Sequence, residues 1–256
     1  MAIITLCTDF GLYDSYVGAM KGVILSINPE AIIIDITHGI PKYNVEFARF
    51  VLNGYYKYFP KNTIHVVVVD PGVGSKRRSI IIKTKDYIFI GPDNGVFSYI
   101  LVEHSTVCYE IGIKQGISNT FHGRDVFAPA AGRLSLKWDK SVLGKRINNP
   151  VILTTPKAVA VKNGIIGRVI HIDHFGNLIT NITTDELPLT GVSKEMCIYV
   201  KNIKIKTIQS TYEECKDGAP CAILNSFNLL EIAVKRDSAH EKLGVNIGDK
   251  VKVLWE

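Results

Sequence analysis

The sequence predicts an α/β protein in two parts. Residues 1–150 read as an N-terminal three-layer α/β domain with a mostly parallel sheet, and residues 157–256 as a small C-terminal antiparallel β-barrel. Three observations lead there. Continuous Val/Ile runs alternate with amphipathic helical patterns through the first part, as expected when both faces of a parallel sheet are covered. Beyond about residue 155 short strand patterns follow one another, most of them separated by turns. Asn148-Asn149-Pro150 through Pro156 has the composition of a linker. A chain of 256 residues can hold two unequal domains and bury a full core.

Ile3–Cys7 opens the chain as a buried strand. Tyr16, Val17, Met20, Val23, Ile24 and Ile27 then recur at helical spacing, with Asp14 or Ser15 available as N-cap and Asn28-Pro29 as the stop. Ala31–Thr37 is a second strand, and a helix is expected from about Asn44 to Phe59, ended by Pro60. Thr63–Val69, Arg78–Thr84 and Tyr87–Ile90 are further strands, with helices over Phe97–Val102 and Val126–Leu136. In the second part the strand candidates are Gly167–Asp173, Leu178–Ile182, Met196–Val200, Ile203–Ile208, Ala222–Leu224, Leu229–Val234 and Lys250–Leu254. No internal repeat or low-complexity segment interrupts them.

Composition narrows the function classes. A hydrophobic content of 46% with 21% charged residues describes an ordinary globular chain. No apolar run approaches the roughly 20 residues of a membrane helix, and the N-terminal run lacks the features of a signal peptide. The net charge of +6 is spread out, its tightest group being Lys76-Arg77-Arg78, so a solvated surface is expected rather than a nucleic-acid-binding face. Five cysteines, odd in number and without CxxC or zinc-ribbon spacing, fit a reducing cytoplasm.

Ligands of parallel α/β sheets sit beyond the carboxyl ends of the strands. Three such ends carry polar loops: Thr8 to Ser15 with Asp9 and Asp14, Thr37 to Tyr43, and Asp70 to Arg77. A single acid at a strand end often only caps a turn, but three converging ends point to a site. Pro71 biases Asp70 toward extended backbone, and Arg77 follows closely enough for the loop to fold it back beside Asp70. Gly72-Val73-Gly74 lacks the Gly-Lys-Ser/Thr ending of a P-loop. His122, in Phe121-His122-Gly123-Arg124-Asp125, is open to three readings: general base, water-positioning group or satisfied structural histidine. His171-Ile172-Asp173-His174 puts only His171 and Asp173 on one strand face, so no metal is expected. Phe175-Gly176-Asn177 offers an aromatic face and an amide suited to an adenine ring, or is a plain turn between strands.

Taken together, Thr8-Asp9-Phe10-Gly11, Asp35-Ile36-Thr37-His38, Val69-Asp70-Pro71-Gly72-Val73-Gly74, Gly91-Pro92-Asp93-Asn94-Gly95, Phe121-His122-Gly123-Arg124-Asp125, Phe175-Gly176-Asn177 and Asn225-Ser226 form an ordered set. In that order the sequence resembles the S-adenosylmethionine hydroxide adenosyltransferases, adenosine-forming hydrolases related to the fluorinase and chlorinase. The resemblance spans nearly the whole chain. It implies hydrolysis of S-adenosyl-L-methionine (SAM) to adenosine and methionine, without a cofactor. It also implies a homotrimer with the ligand between the N-terminal domain of one subunit and the C-terminal domain of the next. The implied catalytic set is Asp70, Arg77 and His122. Asp9 would hold the ribose hydroxyls and Tyr43 pack on the sugar; Asp14, Ser15, Asp173 and Ser226 would meet the methionine end; Phe175 and Asn177 would recognise adenine. Phe227 and Glu231 complete the implied substrate-binding set. The halogenases carry Tyr where this chain has Asp70, and can carry Thr where it has Val73, which favours water over halide. The fluorinase has Arg at the position of Phe227. A halogenase or other adenosyl transfer, and a non-catalytic adenosine- or SAM-binding trimer, are the alternative expectations.

Overall fold

The computed structural model describes residues 2–112, 116–137, 140–189 and 196–255. The chain forms two compact units, Met1–Thr154 and Thr155–Glu256. In the first unit β1 (Ile3–Thr8), α1 (Tyr16–Ile27), β2 (Ile32–Thr37), α2 (Val45–Tyr55), β3 (Ile64–Val68), β4 (Ser79–Lys83), β5 (Ile88–Pro92), α3 (Ser98–Glu103), β6 (Val107–Ile111), α4 (Ala128–Leu136) and β7 (Leu143–Ile147) follow in order. The sheet order is β2-β1-β3-β5-β4-β6-β7. It is parallel from β2 to β5 and antiparallel through β4, β6 and β7. The sheet is therefore mixed, and the mostly parallel expectation describes only the half that carries the polar strand ends. The cause is local: β4 turns back onto β5 through the tight turn at Thr84, whose backbone N–H and hydroxyl both bond the Tyr87 carbonyl.

The two-residue period of the strands sorts side chains to the two faces. Ile4, Leu6, Ile64, Val66 and Val68 pack with Met20 and Ile24 of α1 and with Ala131 and Leu134 of α4. Cys7, Val67, Ile80, Ile82 and Phe89 pack with Ala48 and Leu52 of α2 and Ile100 of α3. Burial on both faces explains why these strands read as unbroken apolar runs. The expected N-cap position of α1 is Ser15, but its side chain makes no capping bond, whereas Asn44 caps α2 by accepting from Phe47 N. The helix expected over Val126–Leu136 starts earlier, with a π-helical turn at Gly123–Phe127 that runs straight into α4.

The second unit contains β8 (Val159–Val161), β9 (Gly164–Ile172), β10 (Leu178–Thr183), β11 (Met196–Val200), β12 (Ile203–Ile205), β13 (Ile208–Gln209), β14 (Pro220–Leu224), β15 (Leu229–Val234), α5 (Ala239–Leu243) and β16 (Lys250–Trp255). One sheet runs β12-β11-β16-β9-β10-β15-β14-β13, with β8 beside β9. It curls as a half-barrel around a core that includes Ile165, Val169, Leu178, Ile198, Leu230, Ile232, Val251 and Val253. Pairing is antiparallel except between β13 and β14. The single strand expected over Ile203–Ile208 is split, β12 pairing with β11 and β13 with β14. Cys215 and Cys221 form a disulfide, while Cys7, Cys108 and Cys197 are free. No helix among the described residues is long and apolar enough to cross a membrane.

Candidate functional site

Because β2, β1 and β3 are neighbours and parallel, their carboxyl ends bring three loops side by side. Asp9 follows β1, Tyr43 lies in the loop after β2, and Asp70 follows β3. Tyr43 is 69% exposed and takes a left-handed backbone, φ 65°. Its N–H is donated to Asp9 Oδ2 at 2.9 Å. Burial raises the Asp9 carboxyl above the ordinary value, the Tyr43 N–H bond opposes this, and the charge of Asp70 adds to it. Asp14 and Ser15, between β1 and α1, are exposed.

Asp70 and Arg77 meet as the loop folds back. Arg77 Nε lies 2.9 Å from both Asp70 oxygens, and Nη2 also bonds Asp70 Oδ2. Nη1 is held by Ser79 Oγ at 2.6 Å, and the guanidinium lies over the Phe127 ring, 5.4 Å from its centroid. Both charged side chains are almost fully buried, so the pair is fixed in a bidentate geometry. His122 completes the cluster, with Nδ1 2.7 Å from Arg77 Nη2. A guanidinium has no acceptor, so Nδ1 accepts and the ring proton of the neutral imidazole sits on Nε2. Burial, then the Arg77 charge, lowers the His122 pKa below the ordinary value, against the smaller pull of Asp70 and Asp125. His122 is placed by the π-helical turn and by a ring cluster in which Phe121 packs edge-on against Phe10 at 5.9 Å and Tyr16 at 5.1 Å. Val73 is partly exposed beside this corner.

In the second unit the β9–β10 turn carries Asp173, Phe175 and Asn177. Asp173 Oδ1 accepts from Phe175 N at 3.0 Å and Asn177 N at 2.8 Å, and Oδ2 from the Asn177 amide at 3.0 Å. That stapling, with Gly176 at φ 82° where a Cβ would collide with Ser238, leaves Phe175 projecting, 74% exposed. Ser226 and Phe227 sit exposed on the β14–β15 turn, which is ordered by Asn225 Oδ1 accepting from Phe227 N and Leu229 N. Glu231, opposite Ile179 of β10, is only 2% exposed. Its oxygens accept from Tyr212 Oη at 2.6 Å and Asn225 Nδ2 at 3.1 Å. Burial raises its pKa, the two donors oppose this, and the Asp173 charge adds to it. Glu231 thus supports the turn bearing Ser226 and Phe227. Of the two residues that tie it in place, Asn225 was singled out in the sequence as part of Asn225-Ser226, without this role, and Tyr212 was not. His171 is buried on β9, where burial lowers its pKa to about 4. Among the described residues, no group of three or more His, Cys, Asp or Glu is placed to hold a metal.

Comparison with known proteins gives a consistent answer. Residues 4–144 match the family model for the SAM hydroxide adenosyltransferase N-terminal domain, and residues 167–252 the model for its C-terminal domain. The chain is 40% identical to the (R)-S-adenosyl-L-methionine hydrolase of Methanocaldococcus jannaschii, over 99% of this chain and 96% of that protein. It is 26% identical to a fluorinase of Actinopolyspora mzabensis, over 98% of this chain and 96% of that one. A crystal structure of an uncharacterized conserved protein from Thermotoga maritima superposes with a TM-score of 0.90 at 36% identity, covering 98% of this chain and 99% of the other.

Proposed function

The chain belongs to the SAM hydroxide adenosyltransferase family, and from that premise we propose how its residues serve the reaction. The enzyme hydrolyses SAM: water attacks ribose C5′, the C5′–S bond breaks, and adenosine and L-methionine leave. The leaving group is a sulfonium that becomes a neutral thioether, so no acid is needed to release it. What the protein must supply is an aligned water and an acceptor for its proton.

The observation that carries the mechanism is the Asp70–Arg77–His122 cluster. With Nδ1 occupied by Arg77, His122 presents Nε2–H as a donor that holds the oxygen of the attacking water. Of the three side chains, only Asp70 keeps acceptor lone pairs, so Asp70 takes the proton. Arg77 fixes both partners and stabilises the hydroxide-like charge that develops. Asp9, with one oxygen already held by Tyr43 N, clamps the ribose hydroxyls, and Tyr43 packs on the sugar. Phe175 and Asn177 receive adenine. Asp14, Ser15, Asp173 and Ser226 meet the methionine end, with Phe227 beside it and Glu231 behind it. No cofactor enters this scheme. The active particle is a homotrimer, with the two sets of residues supplied by neighbouring copies, working in the cytoplasm.

Incubation with SAM followed by chromatography tests the reading. Adenosine and methionine in equal amounts are expected. A 5′-halo nucleoside formed in the presence of halide would indicate the halogenase chemistry, and unchanged ligand a binding protein.

A further inference from the structure

The Asp35-Ile36-Thr37-His38 motif has no part in the scheme above, yet its Asp35 and His38 side chains form a line of close polar contacts that ends beside Asp9. Lys21 Nζ donates to Asp35 Oδ2 at 2.5 Å. Asp35 Oδ1 lies 3.1 Å from His38 Nε2, and His38 Nδ1 lies 2.8 Å from Thr8 Oγ1. Thr8 Oγ1 in turn accepts from Phe10 N at 3.2 Å, on the far side of Asp9. Burial raises the Asp35 pKa, but the bonds from Lys21 and His38 outweigh it and hold the carboxyl below its ordinary value.

With His38 neutral, one set of proton positions suits this line. A carboxylate accepts, so His38 carries its proton on Nε2 and presents Nδ1 as an acceptor. The Thr8 hydroxyl must then donate to Nδ1, which leaves its lone pairs for Phe10 N–H. An Asp–His–hydroxyl series has the order of a nucleophile triad. Thr8 is 0% exposed, however, and cannot reach a substrate, so activation of a nucleophile is excluded. What the line can do is fix the backbone at the end of β1. A second link, Gly11 N to His38 O at 2.8 Å, ties the same loop to the end of β2.

We propose that Asp35, His38 and Thr8 are positioning residues for the Asp9 carboxylate, holding the β1 loop so that Asp9 faces the ribose hydroxyls. The proposal rests on the reading of Asp9 as the ribose clamp. It accounts for a buried histidine whose two ring nitrogens meet groups of opposite hydrogen-bonding role, on the loop that also supplies Tyr43.

Adenosine and 2′,3′-dideoxyadenosine affinities, measured by calorimetry on the full chain, test it. Asp9→Asn should weaken adenosine and leave the dideoxy analogue nearly unchanged. Thr8→Val should weaken adenosine roughly ten-fold, the scale of one charged-group hydrogen bond, with the same dependence on the hydroxyls. Thr8→Ser should restore binding, and KM for SAM should rise more than kcat falls. Asp35→Ala, at the partly exposed end of the line, gives a second arm should Thr8→Val fail to fold; a smaller loss, again confined to adenosine, is expected there. If Asp9→Asn is selective for the hydroxyls but Thr8→Val and Asp35→Ala bind adenosine normally, or lose both ligands equally, the positioning proposal is overturned alone. If Asp9→Asn itself weakens both ligands equally, the ribose reading falls and this proposal with it.

Discussion

At the scale of single residues, the informative contact is Arg77 Nη2 to His122 Nδ1, because it decides the direction of every proton in the cluster. His122→Gln can still accept from Arg77 through its amide oxygen and donate through its amide nitrogen, whereas His122→Ala can do neither. Steady-state assays should find His122→Gln the more active of the two. Asp70→Asn removes the proton acceptor and should lower kcat about 10²–10⁴-fold. An Asp70→Asn enzyme with wild-type turnover would remove Asp70 from the mechanism. The pH profile follows from the same geometry. The neutral form of His122 is required, and its folded pKa lies below the ordinary value, so the reactive form persists as pH falls through about 6.5. The acid limb of kcat/KM should therefore begin below the usual histidine range. Asp9 acts in the opposite sense: its raised pKa means that the ribose clamp protonates at a higher pH than an ordinary carboxyl. The protonation of Asp9 should appear in adenosine binding as well as in turnover, because adenosine carries the same ribose hydroxyls. The placing of Asp9 and Asp70 just past strand ends, and the return of Arg77 beside Asp70, were legible in the strand and loop pattern, while the roles proposed for them come from the resemblance. The Nδ1 contact was not, since it joins residues 45 apart and depends on the π-helical turn.

At the scale of elements, β3 carries a group that couples stability to acidity. His65 is fully buried among Tyr55, Tyr56, Phe59, Tyr87 and Phe89, with Nδ1 2.9 Å from Thr5 Oγ1 of β1. Burial lowers its pKa to about 3. Above about pH 6.5 both folded and unfolded chains hold this histidine neutral, and it exerts no pH dependence. Below that, the unfolded chain binds a proton that the folded one refuses until pH falls to about 3, so stability declines with acidity across that window. By pH 5 the loss is on the order of 2 kcal/mol. Urea unfolding at pH 7 and pH 5 should show it, and His65→Phe should flatten the difference even if it lowers stability at both. An equally steep acid loss in His65→Phe would assign it to other groups. Element types were legible where the pattern was strong, as in α1 and the strands β1 to β3. The antiparallel return of β6 and β7 and the split of β12 from β13 were not, because each is set by the pairing between strands rather than by the pattern within one; nor was the Cys215–Cys221 link, since five cysteines without motif spacing read as free thiols.

At the scale of the molecule, the residues assigned to the reaction and the sugar lie in the first unit, and those assigned to adenine lie in the second. Each unit has its own apolar core. The proposed completion of the site by neighbouring copies predicts a trimer, and light scattering under assay conditions should give three times the 28.4 kDa chain mass. A monomer with full activity would contradict that arrangement. The family could be named from ordered motifs spread along the chain, but no periodicity in the sequence reveals the number of copies. That expectation comes from the resemblance and not from any pattern of residues.

The pairing of Arg77 with Asp70 also bears on which nucleophile the enzyme accepts. Their charges cancel, and four of the five guanidinium N–H bonds have partners within the cluster. A halide ion entering that corner would give up its hydration shell and find no uncommitted cation in return, while a water molecule gives up far less. Selection between the two is thus written as ion solvation: with Arg77 neutralised by Asp70, the corner has no net positive charge to set against the hydration an anion would lose, and added halide should not compete with water for the site.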